Sequence, residues 1–102
     1  MVTHELKIWI EHWQRVFDGT KTFEIRVNDR GFQKGDKVIL RPFAPNKEKG
    51  QPGEFLTGPD GRSLDNAPQG LCDIHRQIGD VYPINDRQVV FSLLKEGDKG
   101  YQ

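Results

Sequence analysis

An alternating run of apolar and polar residues predicts a short β-strand at about residues 22–27. One face of this strand carries the apolar residues Phe23, Ile25 and Val27. The other face carries the polar residues Glu24, Arg26 and Asn28. Glycines mark both ends of the segment, Gly19 before it and Gly31 after it. We call residues 21–30 the motif strand, because a cation, an anion, a second cation and an amide alternate along it.

A helical pattern precedes the motif strand. Apolar residues recur at i, i+4, i+7 and i+8 from Trp9, which predicts an amphipathic helix from about Ile10 to Phe17. Asp18-Gly19 then ends the helix, with Gly19 as a left-handed cap. Before the helix, the alternation at His4–Ile8 predicts an opening strand.

The remainder of the chain predicts further strands and one long irregular stretch. Strands are expected at residues 37–41, 54–57 and 88–94, and a long strand or a bent pair at 71–84. Ten of the seventeen Pro and Gly residues fall between positions 42 and 70, so a flexible insertion is expected at about 58–70. One helix followed by several short strands predicts a mainly β (α+β) chain of five to six strands, closed as a small barrel in one domain of 102 residues.

Composition narrows the classes of function. The chain has 15 basic and 15 acidic residues, so it is not a general polyanion binder. Cys72 is the single cysteine, which excludes an intrachain disulfide and favours a reducing compartment. No signal peptide or long apolar segment is present in the sequence, so a cytoplasmic protein without membrane contact is expected. Cys72-x-x-His75 has no second pair at a usable spacing, and no metal or cofactor is expected.

The motif Gly19-x-Lys21-x-x-Glu24-x-Arg26 after an amphipathic helix resembles the ASCH domains, a branch of the PUA-like fold. Together with the following Asn28-Asp29-Arg30-Gly31-Phe32 and Gly35-Asp36, it looks like the DUF3850 family of small bacterial and phage proteins. The resemblance covers roughly the first 43 residues. It implies a small PUA-like β-barrel with a helix after the first strand, and binding of RNA, a nucleotide or a nucleoside.

The resemblance also raises an enzymatic alternative. A related ASCH branch is a small amidohydrolase acting on acetylated cytidine, which looks to use the motif lysine and a threonine three residues later. Here Glu24 takes the threonine position, which counts against hydrolysis by that route. If the protein were a hydrolase of a modified nucleoside or of RNA, Lys21 and Glu24 would be the catalytic candidates.

The candidate ligand-binding residues combine charge, hydrogen bonding and stacking. Lysine and arginine suit phosphate or a base edge, and a carboxylate can accept from a base amino group. A turn does not require an arginine, so Arg30 is the stronger candidate for ligand contact in the turn, whereas Asn28 also fits a structural role there. The full set is Lys21, Glu24, Arg26, Arg30, Asn28, Lys7, His4 and Trp9.

Each candidate also has a structural interpretation. Glu24 could simply pair with the two neighbouring cations, His4 could be a core histidine, and Trp13 is expected in the core while Trp9 is left open. A third possibility is a protein-interaction module acting through residues 44–70. The sequence leaves the ligand and the oligomeric state open.

Overall fold

The computed structural model describes residues 1–45 and 53–102. Within these residues the chain forms six strands and one helix, in the order β1 (Thr3–Trp9), α1 (Ile10–Phe17), β2 (Phe23–Val27), β3 (Lys37–Ala44), β4 (Glu54–Phe55), β5 (Ile74–Pro83) and β6 (Gln88–Leu94). The prediction of a mainly β chain, with one helix after the first strand, is confirmed. The bounds of α1 and β6 agree with the sequence pattern, whereas β3 continues three residues further than expected.

The strands pair in the order β1-β3-β5-β6-β2, and β4 pairs with β3. β6 is therefore an interior strand, and β2 stands at one end of the order. β2 and β5 both run antiparallel to β6, with Glu24 opposite Phe91 and Tyr82 opposite Val90. Within residues 1–45 and 53–102, this arrangement places β2, the central part of the motif strand, at an edge of the sheet.

The chain divides into two compact units, each described separately. Unit 1 comprises Met1–His4, Lys21–Ile39 and His75–Gln102, and unit 2 comprises Glu5–Thr20 and Leu40–Ile74. The core of unit 1 consists of Phe32, Val38, Ile78, Val89, Phe91 and Leu93. The core of unit 2 consists of Leu6, Ile8, Trp13, Val16, Leu40, Leu56, Ala67, Leu71 and Ile74.

Helix α1 follows directly from its apolar stripe. Trp13 and Val16 are buried, and the indole Nε1 of Trp13 donates to the carbonyl oxygen of Cys72 at 2.8 Å. Trp13 is thus a core residue, as predicted, while Trp9 is 49% exposed. Gly19 has φ 82°, the left-handed conformation expected of a residue that ends a helix.

Strand β5 contains a bulge at the predicted break. Gly79 and Asp80 lie between the paired residues Ile78 and Val81, and they face Ser92 on β6. The Ser92 hydroxyl accepts a hydrogen bond from the Asp80 N–H at 2.8 Å. A Cβ on Gly79 would meet this hydroxyl oxygen, so a larger residue here would require Ser92 to shift. The sequence left open whether residues 71–84 form one long strand or a bent pair. The structure has one strand, β5, with a bulge at Gly79-Asp80.

The loop that follows β4 has hydrogen bonds of its own. Thr57 and Ser63 form an isolated antiparallel β-bridge, and so do Arg62 and Cys72. The Ser63 N–H donates to the Leu71 carbonyl at 3.1 Å. The flexibility expected for residues 58–70 stays a prediction. Of the wider stretch 44–70, residues 46–52 lie outside the described residues.

Candidate functional site

The two faces of β2 have the residues that the alternation predicts, but the charged face points inward. Glu24 is 5% exposed, whereas Phe23, Ile25 and Val27 are 45%, 49% and 54% exposed. Apolar residues ordinarily take the buried face of an edge strand, so this strand reverses the usual arrangement. The reversal makes Glu24 a buried carboxylate that needs partners.

Both carboxylate oxygens of Glu24 bind a cation. Lys21 Nζ donates to Oε1 at 3.2 Å, and Arg26 Nε donates to Oε2 at 3.0 Å. The Glu24 side chain is 6% exposed, and those of Lys21 and Arg26 are 21% and 25% exposed. A buried carboxylate thus holds two half-buried cations in fixed positions. We call these three residues the cation clamp.

The turn after β2 positions Asn28 and Arg30. The Asn28 side-chain oxygen accepts a hydrogen bond from the Phe32 N–H at 3.0 Å, and Gly31 has φ 64°. Asn28 therefore has the structural role that a turn asparagine usually has. Arg30 is exposed on the same turn. Its position at the end of the motif strand keeps it a candidate for ligand contact.

His4 lies in the core of unit 1. Its Nε2 is 2.8 Å from Asp36 Oδ2, both residues are buried, and its ring contacts Phe32 edge-on at 4.8 Å. Asp36 also accepts from the backbone N–H groups of Val2 and Gln33, both at 3.2 Å. Burial raises the pKa of Asp36, but these hydrogen bonds outweigh it and hold the pKa below its ordinary value.

The contacts of His4 are those of a core residue. Its neighbour Phe32 contacts Phe91 at 5.0 Å, and Phe91 is the strand partner of Glu24. The expectation that His4 contacts a ligand stays a prediction. Its partner Asp36 lies 32 residues away, and no local pattern indicated this pairing.

Lys7 and Trp9 belong to unit 2. The Lys7 ammonium lies 4.5 Å from the centroid of the Phe43 ring and 5.8 Å from that of Phe55. Trp9 stacks on His12 with ring centroids 6.5 Å apart. Exposed cations and aromatic rings suit nucleic-acid bases, so both residues stay candidates.

Unit 2 also contains a cluster that the sequence did not indicate. Arg41 donates to the Glu5 carboxylate at 2.9 Å and to the Thr57 carbonyl at 3.0 Å, and it lies 4.0 Å from the Phe55 ring centroid. The Thr57 hydroxyl in turn donates to Asp73 at 2.5 Å. The hydrogen-bonded pairs are 16 to 36 positions apart in the sequence, so no local pattern could reveal them. Because Arg41 forms ion pairs with both Glu5 and Asp73, at 2.9 and 3.8 Å, the cluster is best explained as structural.

Two further features bear on the possible chemistry. Unit 1 has a cavity of about 310 Å³ whose lining includes Lys34, Asp80, Ser92 and Lys99 but, within the described ranges, no residue of the motif strand. In residues 1–45 and 53–102 no three His, Cys, Asp or Glu side chains lie where they could share a metal ion. Nor does any helix in that part of the chain have the length and apolar character needed to cross a membrane.

Comparisons with known proteins agree with the motif. The family model described as "Domain of unknown function (DUF3850)" matches residues 3–58, which include β1, α1 and the motif strand. The chain is also 27% identical, over 91 residues, to a protein of Escherichia phage P2 named "Uncharacterized 12.9 kDa protein in GpA 3'region". That similarity covers 89% of this chain and 83% of the phage protein.

Proposed function

The chain belongs to the DUF3850 family, and on this premise we propose that its motif strand binds RNA or a nucleotide through Lys21, Arg26 and Arg30, with Glu24 positioning the first two. The observation that carries the proposal is the cation clamp. A buried carboxylate that holds two cations costs more to desolvate than an apolar residue would. Such a cost is typical of a site that must present charge in a fixed geometry.

The clamp has the chemistry that a nucleotide requires. An ammonium has three donors, and Glu24 accepts from one of those of Lys21. A guanidinium presents a planar set of donors that suits a phosphate or the edge of a guanine. Arg30 adds a third positive charge on the adjoining turn. The clamp therefore carries a local positive charge although the formal net charge of the chain is zero.

The same charge balance indicates the kind of ligand. A protein that gripped a long backbone would need many cations, and this chain has as many acidic as basic residues. We infer that the clamp reads a small feature, such as one extruded or modified base with its phosphate. The logarithm of the binding constant should then fall only slightly with the logarithm of salt concentration, with a slope of about −0.7 per phosphate contacted.

Titration of short single-stranded RNAs and free nucleotides tests the proposal. Binding is followed by fluorescence anisotropy or calorimetry for the wild type, Lys21→Ala and Arg26→Ala. Matched controls are Lys34→Ala and Arg87→Ala, which remove exposed cations from the same unit outside the clamp. Circular dichroism first establishes that all variants are folded.

We expect each clamp variant to bind about tenfold or more weakly, the equivalent of about 1.4 kcal/mol, and both controls to bind as the wild type does. Equal loss in the clamp variants and the controls would indicate only general electrostatic attraction. Wild-type affinity in Lys21→Ala and Arg26→Ala would refute the proposal.

A further inference from the structure

In the part of the chain that the structure describes, β2 pairs with a strand on one side only, so its other edge carries backbone groups that no strand bonds. Leu93 N–H donates to the Thr22 carbonyl at 2.9 Å, and Asn28 N–H donates to the Arg87 carbonyl at 2.8 Å. These bonds fix the parity of the ladder, so the even-numbered residues of β2 direct their backbone groups toward β6. The odd-numbered residues Phe23, Ile25 and Val27 direct theirs toward the other edge. No further strand among the described residues follows β2 in the strand order.

The same three residues have exposed apolar side chains. We call them the edge patch. Ile25 lies opposite Val90, and Val90 lies opposite Tyr82, so the apolar surface continues across three strands of unit 1. Edge strands are ordinarily protected by lysine, proline or bulges, because open edges invite pairing. The edge patch has none of these protections over its three residues.

We propose that the edge patch pairs with the edge patch of a second copy of this chain, so that two β2 strands run antiparallel about a two-fold axis at Ile25. Ile25 then faces the partner's Ile25, and Phe23 faces the partner's Val27. Each of these pairs exchanges two backbone hydrogen bonds, about six in all. A two-fold contact of this kind uses one surface twice and closes as a dimer.

The charges of Glu24 and Arg26 favour this register and a second copy of the chain as the partner. With the axis at Ile25, Glu24 lies directly opposite the partner's Arg26. Centring the axis on Glu24 or on Arg26 would oppose like charges and would leave two hydrogen-bonded pairs instead of three. Aromatic and β-branched residues opposite each other, as Phe23 and Val27 would be, are also a favourable cross-strand pair. The strand is therefore complementary to itself.

Sedimentation velocity over a range of protein concentrations tests the dimer. Ile25→Pro removes an outward N–H and leaves the bonds to β6 in place, and Ile25→Lys is a second variant that keeps the backbone. Tyr82→Lys is the matched control, because it places a lysine in the same row of the same face, two strands from the edge. Circular dichroism establishes folding in each case.

We expect a concentration-dependent wild-type dimer, a rise of about tenfold or more in the dimer dissociation constant for both Ile25 variants, and no change for Tyr82→Lys. A wild type that stays monomeric at every concentration would overturn the proposal. So would Ile25 variants that dimerise as the wild type does.

A disulfide test examines the register. In a Cys72→Ser background, Ile25→Cys places two cysteines in one hydrogen-bonded pair with Cα atoms about 5.5 Å apart, within the range of a disulfide. Phe23→Cys places the two cysteines four residues apart along the strands, roughly 13 Å, which is beyond that range. Rapid oxidation to a covalent dimer in Ile25→Cys but not in Phe23→Cys is the expected result. The opposite pattern, or equal oxidation of the two variants, would refute the register.

Discussion

Removing both cations of the clamp should destabilise the protein by more than the sum of the two single losses. Two ordinary surface ion pairs would not show this excess. Lys21→Met and Arg26→Met each remove one cation and keep an apolar stem of similar length. Each single variant leaves Glu24 with one remaining cation. The double variant leaves a carboxylate that is 6% exposed without either cation.

The magnitudes follow from burial. At about 3 Å and an effective dielectric constant of about 20, each cation attracts the carboxylate by roughly 5 kcal/mol, most of which is offset by desolvation and side-chain ordering. Because the cations are 21% and 25% exposed, we expect each single variant to lower the unfolding free energy by about 1 kcal/mol. The double variant should lower it by about 3–5 kcal/mol, the cost of a buried unpaired charge. The excess over the sum of the singles is about 1–3 kcal/mol.

Urea unfolding followed by circular dichroism measures the four free energies. The same cycle in a Glu24→Gln background is the control, because a neutral amide has no charge to leave unpaired. In the Glu24→Gln background, the double variant should lose no more unfolding free energy than the sum of the two single variants. An excess below about 0.5 kcal/mol with Glu24 present would mean that Lys21 and Arg26 act independently and that Glu24 does not couple them, since independent sites add within that margin.

Three further predictions concern unit 1 and the enzymatic alternative. Hydrogen bonds lower the pKa of Asp36 in the folded state, so its contribution to stability is complete above the unfolded value of about 4 and is lost as the pH falls through the lower folded value. The gap in unfolding free energy between the wild type and Asp36→Asn should therefore shrink below about pH 4, and a pH-independent gap would contradict this. Gly79→Ala should lower the unfolding free energy by about 1–3 kcal/mol, because the added Cβ meets the Ser92 hydroxyl. A thermal unfolding midpoint equal to that of the wild type would show instead that the bulge relaxes. Incubation with acetylated cytidine should release no acetate, because Glu24 stands at the position where the amidohydrolases that the motif resembles look to use a threonine. Acetate release that Lys21→Ala abolishes would instead favour the hydrolase alternative.

Local patterns in the sequence were sufficient for much of the fold. The bounds of α1 follow from an apolar stripe and from Gly19, which ends the helix. The break in β5 was visible as Gly79-Asp80, and β6 as a continuous apolar run. Each of these depends on residues that are neighbours in the sequence. Strand β3 was expected to end before Pro42, but it continues to Ala44.

The orientation of β2 could not be predicted in the same way. Alternation shows that a strand has two faces, but tertiary packing decides which face is buried. Glu24 can be buried because Lys21 and Arg26 neutralise it, and its position opposite Phe91 depends on a strand 67 residues away. The partner of His4, Asp36, was likewise hidden by its distance along the chain.

Chemical-shift mapping shows whether a ligand binds at the cation clamp. ¹⁵N-labelled protein is titrated with the short RNA or nucleotide that binds most tightly, and each backbone and side-chain N–H signal is followed. We predict the largest shifts at residues 21–30, including the side-chain Nε–H of Arg26. Shifts centred instead on Lys7, Trp9 and the remainder of unit 2, or no shifts with any of these ligands, would mean that the clamp does not bind them.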